Sequence, residues 1–152
     1  MNEMMSIAIK EARKGMLKND GGPFGAVVVK NGQIVSLAHN EVLKTFDPTA
    51  HAEINAIRKA SRILKRFDLS DCELYTTSKP CPMCMGAIYW ARIGKVYYGT
   101  DEDEVAKIGF DDKKFYDFLF GRDKGVELIC IEHEEALKLL REWESIEGRR
   151  LY

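Results

Sequence analysis

The sequence predicts an α/β fold, a three-layer α/β/α sandwich in which a five-stranded mixed sheet has helices on both faces. Asn31-Gly32 stands between two apolar runs, which is a strong signal for a β-hairpin and therefore for an antiparallel pair. Further along, strand-like runs alternate with helical patterns, which favours parallel pairing through right-handed crossovers. The chain of 152 residues shows no linker, repeat or low-complexity segment, so we expect a single domain over residues 1–152.

Each element has a local signal. Apolar residues recur at helical spacing in the first segment, which ends at the glycine- and proline-rich stretch 21–23. A helix start signal at residues 47–49 precedes the second helix, and Pro82 lies in the first turn of the third. The predicted order is helix, hairpin, helix, strand, helix, strand, irregular segment with short helical pieces, strand and helix, over residues 1–18, 26–40, 50–66, 72–78, 81–93, 95–99, 101–125, 126–131 and 133–146.

The amino-acid composition argues against a membrane-spanning or secreted protein and against a general affinity for nucleic acid. Hydrophobic residues make up 45% and charged residues 31% of the chain, which is typical of a globular protein. No apolar run approaches the roughly 18 to 20 residues that span a bilayer, and the N-terminus lacks the features of a signal peptide. Four cysteines without a secretion signal predict reduced thiols and a cytoplasmic location. The formal net charge of −1 gives no general attraction to nucleic acid, although a local basic patch stays possible.

The paired cysteines Cys81 and Cys84 form a C-x-x-C motif at the start of a predicted helix. Residues three apart lie on one helix face, and the positive end of the helix dipole favours thiolates. Three interpretations are open: a redox pair, half of a closed structural zinc site, or part of a catalytic zinc site with three protein ligands and one position for water. A thioredoxin-like pair would have a tryptophan before the first cysteine, where this chain has Lys79-Pro80.

A closed structural site would need further ligands. Cys72 and Cys130 are unpaired and lie in or beside predicted strands, so we expect both to be small core residues. His39 and His133 have no ligand context, and we expect structural roles for them. A second pair of ligands is therefore missing, which favours the catalytic zinc site.

His51 supplies the third ligand in this interpretation. It is followed by Glu53, and further along by Pro80, Cys81 and Cys84, so that the chain carries the H-x-E…P-C-x-x-C pattern of zinc-dependent deaminases. Zinc with three protein ligands lowers the pKa of a water in the fourth position from 15.7 toward roughly 7, so that a nucleophile forms at neutral pH. Glu53 is then the acid–base group that takes a proton from water, delivers it to a ring nitrogen and protonates the departing amine.

At this point the chain resembles the guanine deaminases of the cytidine deaminase-like superfamily, and the resemblance covers about residues 20–118. It rests on five stretches, "GGPFGAVVVKNGQIV", "HNEV", "DPTAHAEINAIRKAS", "PCPMCMGAIYWARI" and "GFDDKKFY". It implies the cytidine deaminase-like fold, one Zn²⁺ per chain and a small purine base as substrate. The functional residues that it implies are the zinc ligands His51, Cys81 and Cys84, the catalytic Glu53, and the substrate-binding Phe24, Asn40, Ala52, Trp90, Asp112 and Tyr152.

The resemblance also implies a role for each substrate-binding residue. Asn40 and the backbone N–H of Ala52 would hydrogen-bond the base, and Phe24 and Trp90 would stack on it. Asp112 would contact the ring N–H or amine groups of guanine. The alternatives are that the two aromatic residues are ordinary core residues and that Asp112 is a solvated loop charge.

The C-terminal segment is expected to cross to a partner subunit, which implies a homodimer. Tyr152 matches a C-terminal tyrosine that closes the pocket of the other subunit in guanine deaminases of this type. The alternative is a frayed chain end.

Two other functions are left open. The related tRNA adenosine deaminases share the zinc motif, but "GGPFG", "AIYWARI" and "GFDD" favour a free base over an anticodon loop, so nucleic acid is an unlikely partner. A catalytically silent zinc module would have no need of Glu53. The pattern does not separate guanine from guanosine or cytosine. One departure from the family is Lys79, which stands where glutamate is common, and its charge could alter substrate preference.

Overall fold

The computed structural model describes residues 2–122 and 126–150. The helices are α1 (Glu3–Leu17), α2 (Val42–Thr45), α3 (Ala52–Leu64), α4 (Pro82–Trp90), α5 (Glu102–Lys107), α6 (Asp112–Leu119) and α7 (His133–Ser145). The strands are β1 (Gly25–Lys30), β2 (Gln33–His39), β3 (Cys72–Ser78) and β4 (Lys95–Thr100). The predicted order is thus confirmed up to β4 except for the short helix α2, which was not predicted, and the segment after β4 forms short helices as expected.

The hairpin between β1 and β2 turns at the predicted dipeptide. Asn31 has φ 50° and Gly32 has φ 76°, and a two-residue type I′ turn requires left-handed backbone at both positions. Lys30 and Gln33 are paired at the ends of the two strands. The turn therefore follows from local sequence chemistry alone.

The sheet has the strand order β2-β1-β3-β4. β1 pairs antiparallel with both β2 and β3, whereas β3 and β4 are parallel and connected through α4, as the strand–helix–strand pattern predicted. Alternate residues of β1 enter two cores: Val28 packs with residues of α3 and α4, and Val27 packs with Ala8 of α1. The mixed sheet therefore has helices on both faces.

The prediction of a fifth strand over 126–131 is wrong, because the sheet of the described residues has four strands. The apolar side chains of this segment are exposed, with Leu128 at 87% and Ile131 at 75% exposure. High strand propensity does not make a strand without a hydrogen-bonding neighbour, and this segment has none within the described chain. Cys130 is exposed for the same reason, so its predicted core position is also wrong, whereas Cys72 is buried in β3 as predicted.

The last helix, α7, has no buried residue although its sequence is amphipathic. Its apolar side chains include Leu139, Leu140 and Trp143, which are exposed in the single chain. Across the two described ranges, no helix has the length and hydropathy that crossing a membrane requires.

Candidate active site

Two helices begin side by side at one end of the sheet, and each starts at a predicted metal ligand. His51 is the N-cap residue of α3 and Cys81 is the N-cap residue of α4, both with extended backbone. Pro82 occupies the first turn of α4, where its missing N–H costs no hydrogen bond. The positive ends of both helix dipoles therefore meet at the site, which favours thiolate ligands.

The three predicted ligands converge on one point. The Nδ1 atom of His51 lies 3.6 Å from Sγ of Cys81 and 3.6 Å from Sγ of Cys84. Tetrahedral zinc with Zn–S near 2.3 Å and Zn–N near 2.0 to 2.1 Å would separate these atoms by about 3.6 Å. The three residues can thus hold one metal ion, and two thiolates with one imidazole are a donor set that suits zinc.

Hydrogen bonds within the ligand set shift the pKa values of its members. The pKa of Cys81 is lowered, chiefly by a hydrogen bond from Cys84 and also by one from His51. The pKa of His51 is raised, chiefly by its hydrogen bond with Cys81. The pKa of Cys84 is raised by its hydrogen bond with Cys81 and by burial. A divalent metal binds thiolates and a neutral imidazole, so metal binding must release any protons held among the three ligands.

Glu53 lies beside the ligands in the first turn of α3 and is 6% exposed. Its Oε1 accepts a hydrogen bond from the hydroxyl of Thr76 at 3.0 Å, and its Oε2 lies 3.5 Å from Sγ of Cys84. Burial raises the pKa of Glu53, which suits a carboxyl group that must both accept and return a proton. Thr76, which is buried in β3, was missed at the level of sequence because nothing local distinguishes it from other strand threonines.

A cavity of about 430 Å³ opens onto this group. Gly21, Gly22 and Leu43 form part of its wall. The predicted site residues that line the cavity are Phe24, Asn40, His51, Glu53, Cys81 and Asp112. The fold therefore brings together six side chains that are far apart in the sequence.

Part of the cavity wall is made of an aromatic pair and an amide. Phe24 contacts Phe110 edge-on, with ring centroids 4.9 Å apart, and both rings line the cavity. The buried Asn40 accepts a hydrogen bond at Oδ1 from the N–H of Val42, so Nδ2 is the donor that the amide can present. Asp112 begins α6, and burial raises its pKa. Phe110 was missed at the level of sequence, because its loop has no regular pattern.

Lys79 lines the cavity, but its charge is paired. Its Nζ lies 2.9 Å from Oε1 of Glu102 and 5.3 Å from the ring centroid of Tyr116. The Tyr116 hydroxyl in turn donates a hydrogen bond to the carbonyl of Pro80 at 2.7 Å, which connects α6 to the residue before the first cysteine ligand. The departure from the family pattern is therefore accompanied by a local carboxylate partner.

Three predicted substrate contacts are not among the described residues that line the cavity. Trp90 lies at the end of α4, is 59% exposed, and does not line the cavity. It is six residues from Cys84 and therefore lies on a different face of the helix. Ala52 is buried at the first position of α3, where a backbone N–H has no acceptor within the helix. Tyr152 lies outside the described residues.

Residues 1–100 match the family described as the cytidine and deoxycytidylate deaminase zinc-binding region. The chain belongs to this family. It is 40% identical to guanine deaminase from Bacillus subtilis over 147 residues. The alignment covers 95% of this chain and 94% of that protein. Its similarity to the tRNA-specific adenosine deaminase of Aquifex aeolicus is 46% identity over 96 residues, which is 63% of each chain.

Two solved structures of guanine deaminases are similar to this chain in fold. The structure of the Bacillus subtilis guanine deaminase superposes with a TM-score of 0.92 and covers 100% of this chain and 99% of that one. A guanine deaminase from Nitrosomonas europaea, at 29% identity, superposes with a TM-score of 0.68 over 94% of this chain and 84% of that one. The expected cytidine deaminase-like fold is thus confirmed, with four strands in the described part of the chain rather than five.

Proposed function

We propose that the protein hydrolyses guanine to xanthine and ammonia. The observation that carries this proposal is the similarity to a guanine deaminase over 95% of the chain, because it extends past the zinc motif through α6 and the C-terminal segment. The similarity to the Aquifex aeolicus tRNA deaminase covers only 63% of the chain. A cavity of about 430 Å³ with aromatic, amide and carboxylate groups suits a free purine base.

In this proposal, His51, Cys81 and Cys84 hold one Zn²⁺. Bound zinc supplies a water of lowered pKa beside the carboxylate of Glu53. Glu53 accepts the proton as the water oxygen bonds to the guanine carbon that carries the amino group, and it delivers this proton to the neighbouring ring nitrogen. It then moves the second water proton to the amino nitrogen, the C–N bond breaks, and ammonia leaves.

The remaining cavity residues orient the base. Phe24 offers a ring to the purine, and Phe110 packs on Phe24 at nearly a right angle. Asn40 donates from Nδ2 to an acceptor of the base, and the N–H of Ala52 is a second donor at the start of α3. Asp112 accepts from the N–H groups of guanine. The polar contacts reject bases with a different donor and acceptor pattern, because a mismatch leaves buried groups unpaired.

The substrate can be tested directly by ammonia release from guanine, guanosine, adenine, cytosine and anticodon-loop RNA. We expect kcat/KM for guanine to exceed that for adenine, cytosine and RNA by at least about 100-fold, since sites built around hydrogen bonds discriminate strongly. Preferential inosine formation in the RNA would favour the alternative, a tRNA adenosine deaminase. No turnover by zinc-loaded protein would favour a silent zinc module.

The active form is proposed to be a homodimer in which the C-terminal segment of one subunit covers the site of the other. Within the described residues, the outer edge of β4 has no neighbouring strand, and the segment 126–131 exposes its apolar residues. The apolar residues of α7 are exposed as well. A second copy of the chain would bury these surfaces. We also propose that the protein is cytoplasmic, since its four described cysteines form no disulfide.

The tail can be tested by deleting residues 148–152. We expect the truncated protein to keep its zinc and to lose guanine turnover, because water would enter the cavity during the reaction. Mixing truncated chains with full-length Glu53→Gln chains should restore roughly a quarter of the active sites, since one site of each heterodimer has both Glu53 and a donated tail. Full activity of the truncated protein, or an inactive mixture in which heterodimers form, would refute the swapped tail.

A further inference from the structure

A buried ionic cluster lies behind the cavity wall, at the end of β2. The imidazole of His39 is held between two carboxylates: Nδ1 lies 2.7 Å from Oε1 of Glu11 on α1, and Nε2 lies 2.8 Å from Oδ2 of Asp20. The His39 and Glu11 side chains are each 9% exposed and that of Asp20 is 13% exposed. The ring also packs directly on α1, because a Cβ atom at Gly15 would overlap it. The proposed reaction uses none of these residues.

The geometry determines the protonation state of the ring. An ionised carboxylate only accepts hydrogen bonds, so both ring nitrogens must carry a proton if both contacts are hydrogen bonds. The pKa of Asp20 is lowered, chiefly by its hydrogen bond with His39. Burial raises the pKa of Glu11, but the hydrogen bond with His39 and the nearby Lys14 lower it more, so the net shift is downward. His39 is therefore an imidazolium that donates to both.

The carboxylates around the His39 ring are already paired with cations, so a metal ion is not needed to balance their charge. Asp20, His39 and Glu41 lie close enough to share one ion. However, Nζ of Lys44 lies 2.6 Å from Oε1 of Glu41 and 3.9 Å from Oδ2 of Asp20, so these carboxylates already have a cation. The charged groups near the cluster are three cations besides His39, namely Lys14, Lys18 and Lys44, and three carboxylates, namely Glu11, Asp20 and Glu41. The cluster is thus nearly neutral without a metal.

The cluster is connected to the cavity wall by two routes. Asp20 precedes Gly21, which lies so close to Asn40 that a Cβ atom would overlap the Asn40 side-chain oxygen. The backbone carbonyl of Asp20 accepts hydrogen bonds from the N–H groups of Leu43 and Lys44, both at 3.0 Å. A shift of the Asp20 loop would therefore change the space around Asn40 and the position of Leu43, which both line the cavity.

The second route is the chain itself, because His39 directly precedes Asn40. The carbonyl of His39 accepts a hydrogen bond from Nδ2 of Asn55 on α3 at 3.1 Å, and the N–H of Asn40 donates to the carbonyl of Phe24 at 3.0 Å. The ring, its backbone and the following residue are thus fixed from α1, α3 and the loop before β1. The amide in the cavity thus belongs to the residue that directly follows His39.

We propose that His39, as an imidazolium shared by Glu11 and Asp20, is a positioning residue that holds the Asp20–Gly22 loop against Asn40 and so sets the substrate-binding geometry. The proposal rests on the proposed function in taking Asn40 as a contact of the base. It predicts that guanine binding weakens when either contact of the ring is lost. A neutral ring would have one lone pair facing a carboxylate, and one of the two contacts would break.

The test uses two variants and a matched control. We expect His39→Gln to raise KM for guanine about tenfold, to change kcat less, and to leave the zinc content unchanged. This is the result expected when a variant loses interactions that bind the ground state and the transition state equally well. Asp20→Asn should raise KM much less than His39→Gln, because its amide can donate to an unprotonated Nε2 and so keep the contact with the ring. Glu41→Gln removes a nearby carboxylate without touching a hydrogen bond of the ring, and it should keep the wild-type KM.

Nitrogen NMR supplies a readout that does not depend on guanine turnover. Both ring nitrogens of His39, assigned by their loss in His39→Gln, should resonate as protonated in the wild type at neutral pH, whereas Asp20→Asn should show one unprotonated nitrogen. The side-chain amide signals of Asn40, assigned in Asn40→Ala, should move in His39→Gln. Wild-type KM with unmoved Asn40 signals in His39→Gln, or a singly protonated wild-type ring, would overturn the proposal. Failure of guanine turnover in the wild type would instead refute the proposed function.

Discussion

Replacing Glu53 by glutamine is expected to lower kcat by about 10³ to 10⁴ or more, because general acid–base groups contribute about 10² to 10⁴ and this group serves several transfers. The amide can still accept the Thr76 hydrogen bond at its oxygen, and its volume is nearly unchanged, so the buried position should be tolerated. It cannot accept or deliver a proton. Ammonia release under saturating guanine measures the loss, and elemental analysis checks that zinc remains.

Two further variants separate proton transfer from positioning. Glu73→Gln is the matched control: Glu73 lies in β3, is paired with Lys95, and its side chain is 37% exposed, so its loss should leave turnover unchanged. Thr76→Val removes only the hydrogen bond to Oε1 and should cost much less than Glu53→Gln. Near wild-type turnover in Glu53→Gln would mean that another group carries the protons.

Removing a metal ligand is expected to abolish turnover together with metal binding. The wild-type protein should contain about one zinc per chain, and Cys81→Ala or His51→Ala should leave two of three protein ligands and almost no bound zinc after purification. The reason is geometric, since both Sγ atoms lie 3.6 Å from Nδ1 of His51 and no other described residue belongs to this group of ligands. Elemental analysis and ammonia release measure the two effects in the same samples.

Cys130→Ser is the matched control for the ligand variants, because it removes an exposed thiol that belongs to no ligand group in the described chain. It should keep both zinc and activity. Active wild-type protein without zinc would refute the metal site, and a Cys81→Ala protein with full zinc content would show that Cys81 is not a ligand. A zinc-free variant that still turns over guanine would show that the reaction does not require the metal.

Much of the site could be predicted from the sequence because its signals are local. The pair Cys81 and Cys84 is three residues apart at a helix start, and His51 and Glu53 lie at the start of the preceding helix. Helix starts need capping residues, proline or a break in periodicity, and all of these are visible in the chain. The turn at Asn31-Gly32 is local in the same sense, since two adjacent residues with left-handed backbone determine its type.

The wrong or incomplete predictions concern features that depend on neighbours. Residues 126–131 have the composition of a strand, but a strand also needs a partner edge, and in the single chain they stay exposed. The contact of Trp90 with the base stays a prediction, because in the single chain α4 puts Trp90 on another face from Cys84 and the residue does not line the cavity.

By itself, the sequence determined the class of the fold, the hairpin and the three residues that can hold a metal ion, and it predicted the proton-transfer residue, because these follow from residue types at short spacing. Only the tertiary structure decided that Thr76 holds Glu53, that Glu102 pairs with Lys79, and that His39 lies between two carboxylates. These contacts join residues from 19 to 28 positions apart on different elements. The periodicity of a helix or strand states which face a side chain occupies, but not which side chain of another element meets it; that depends on how the sheet and helices pack.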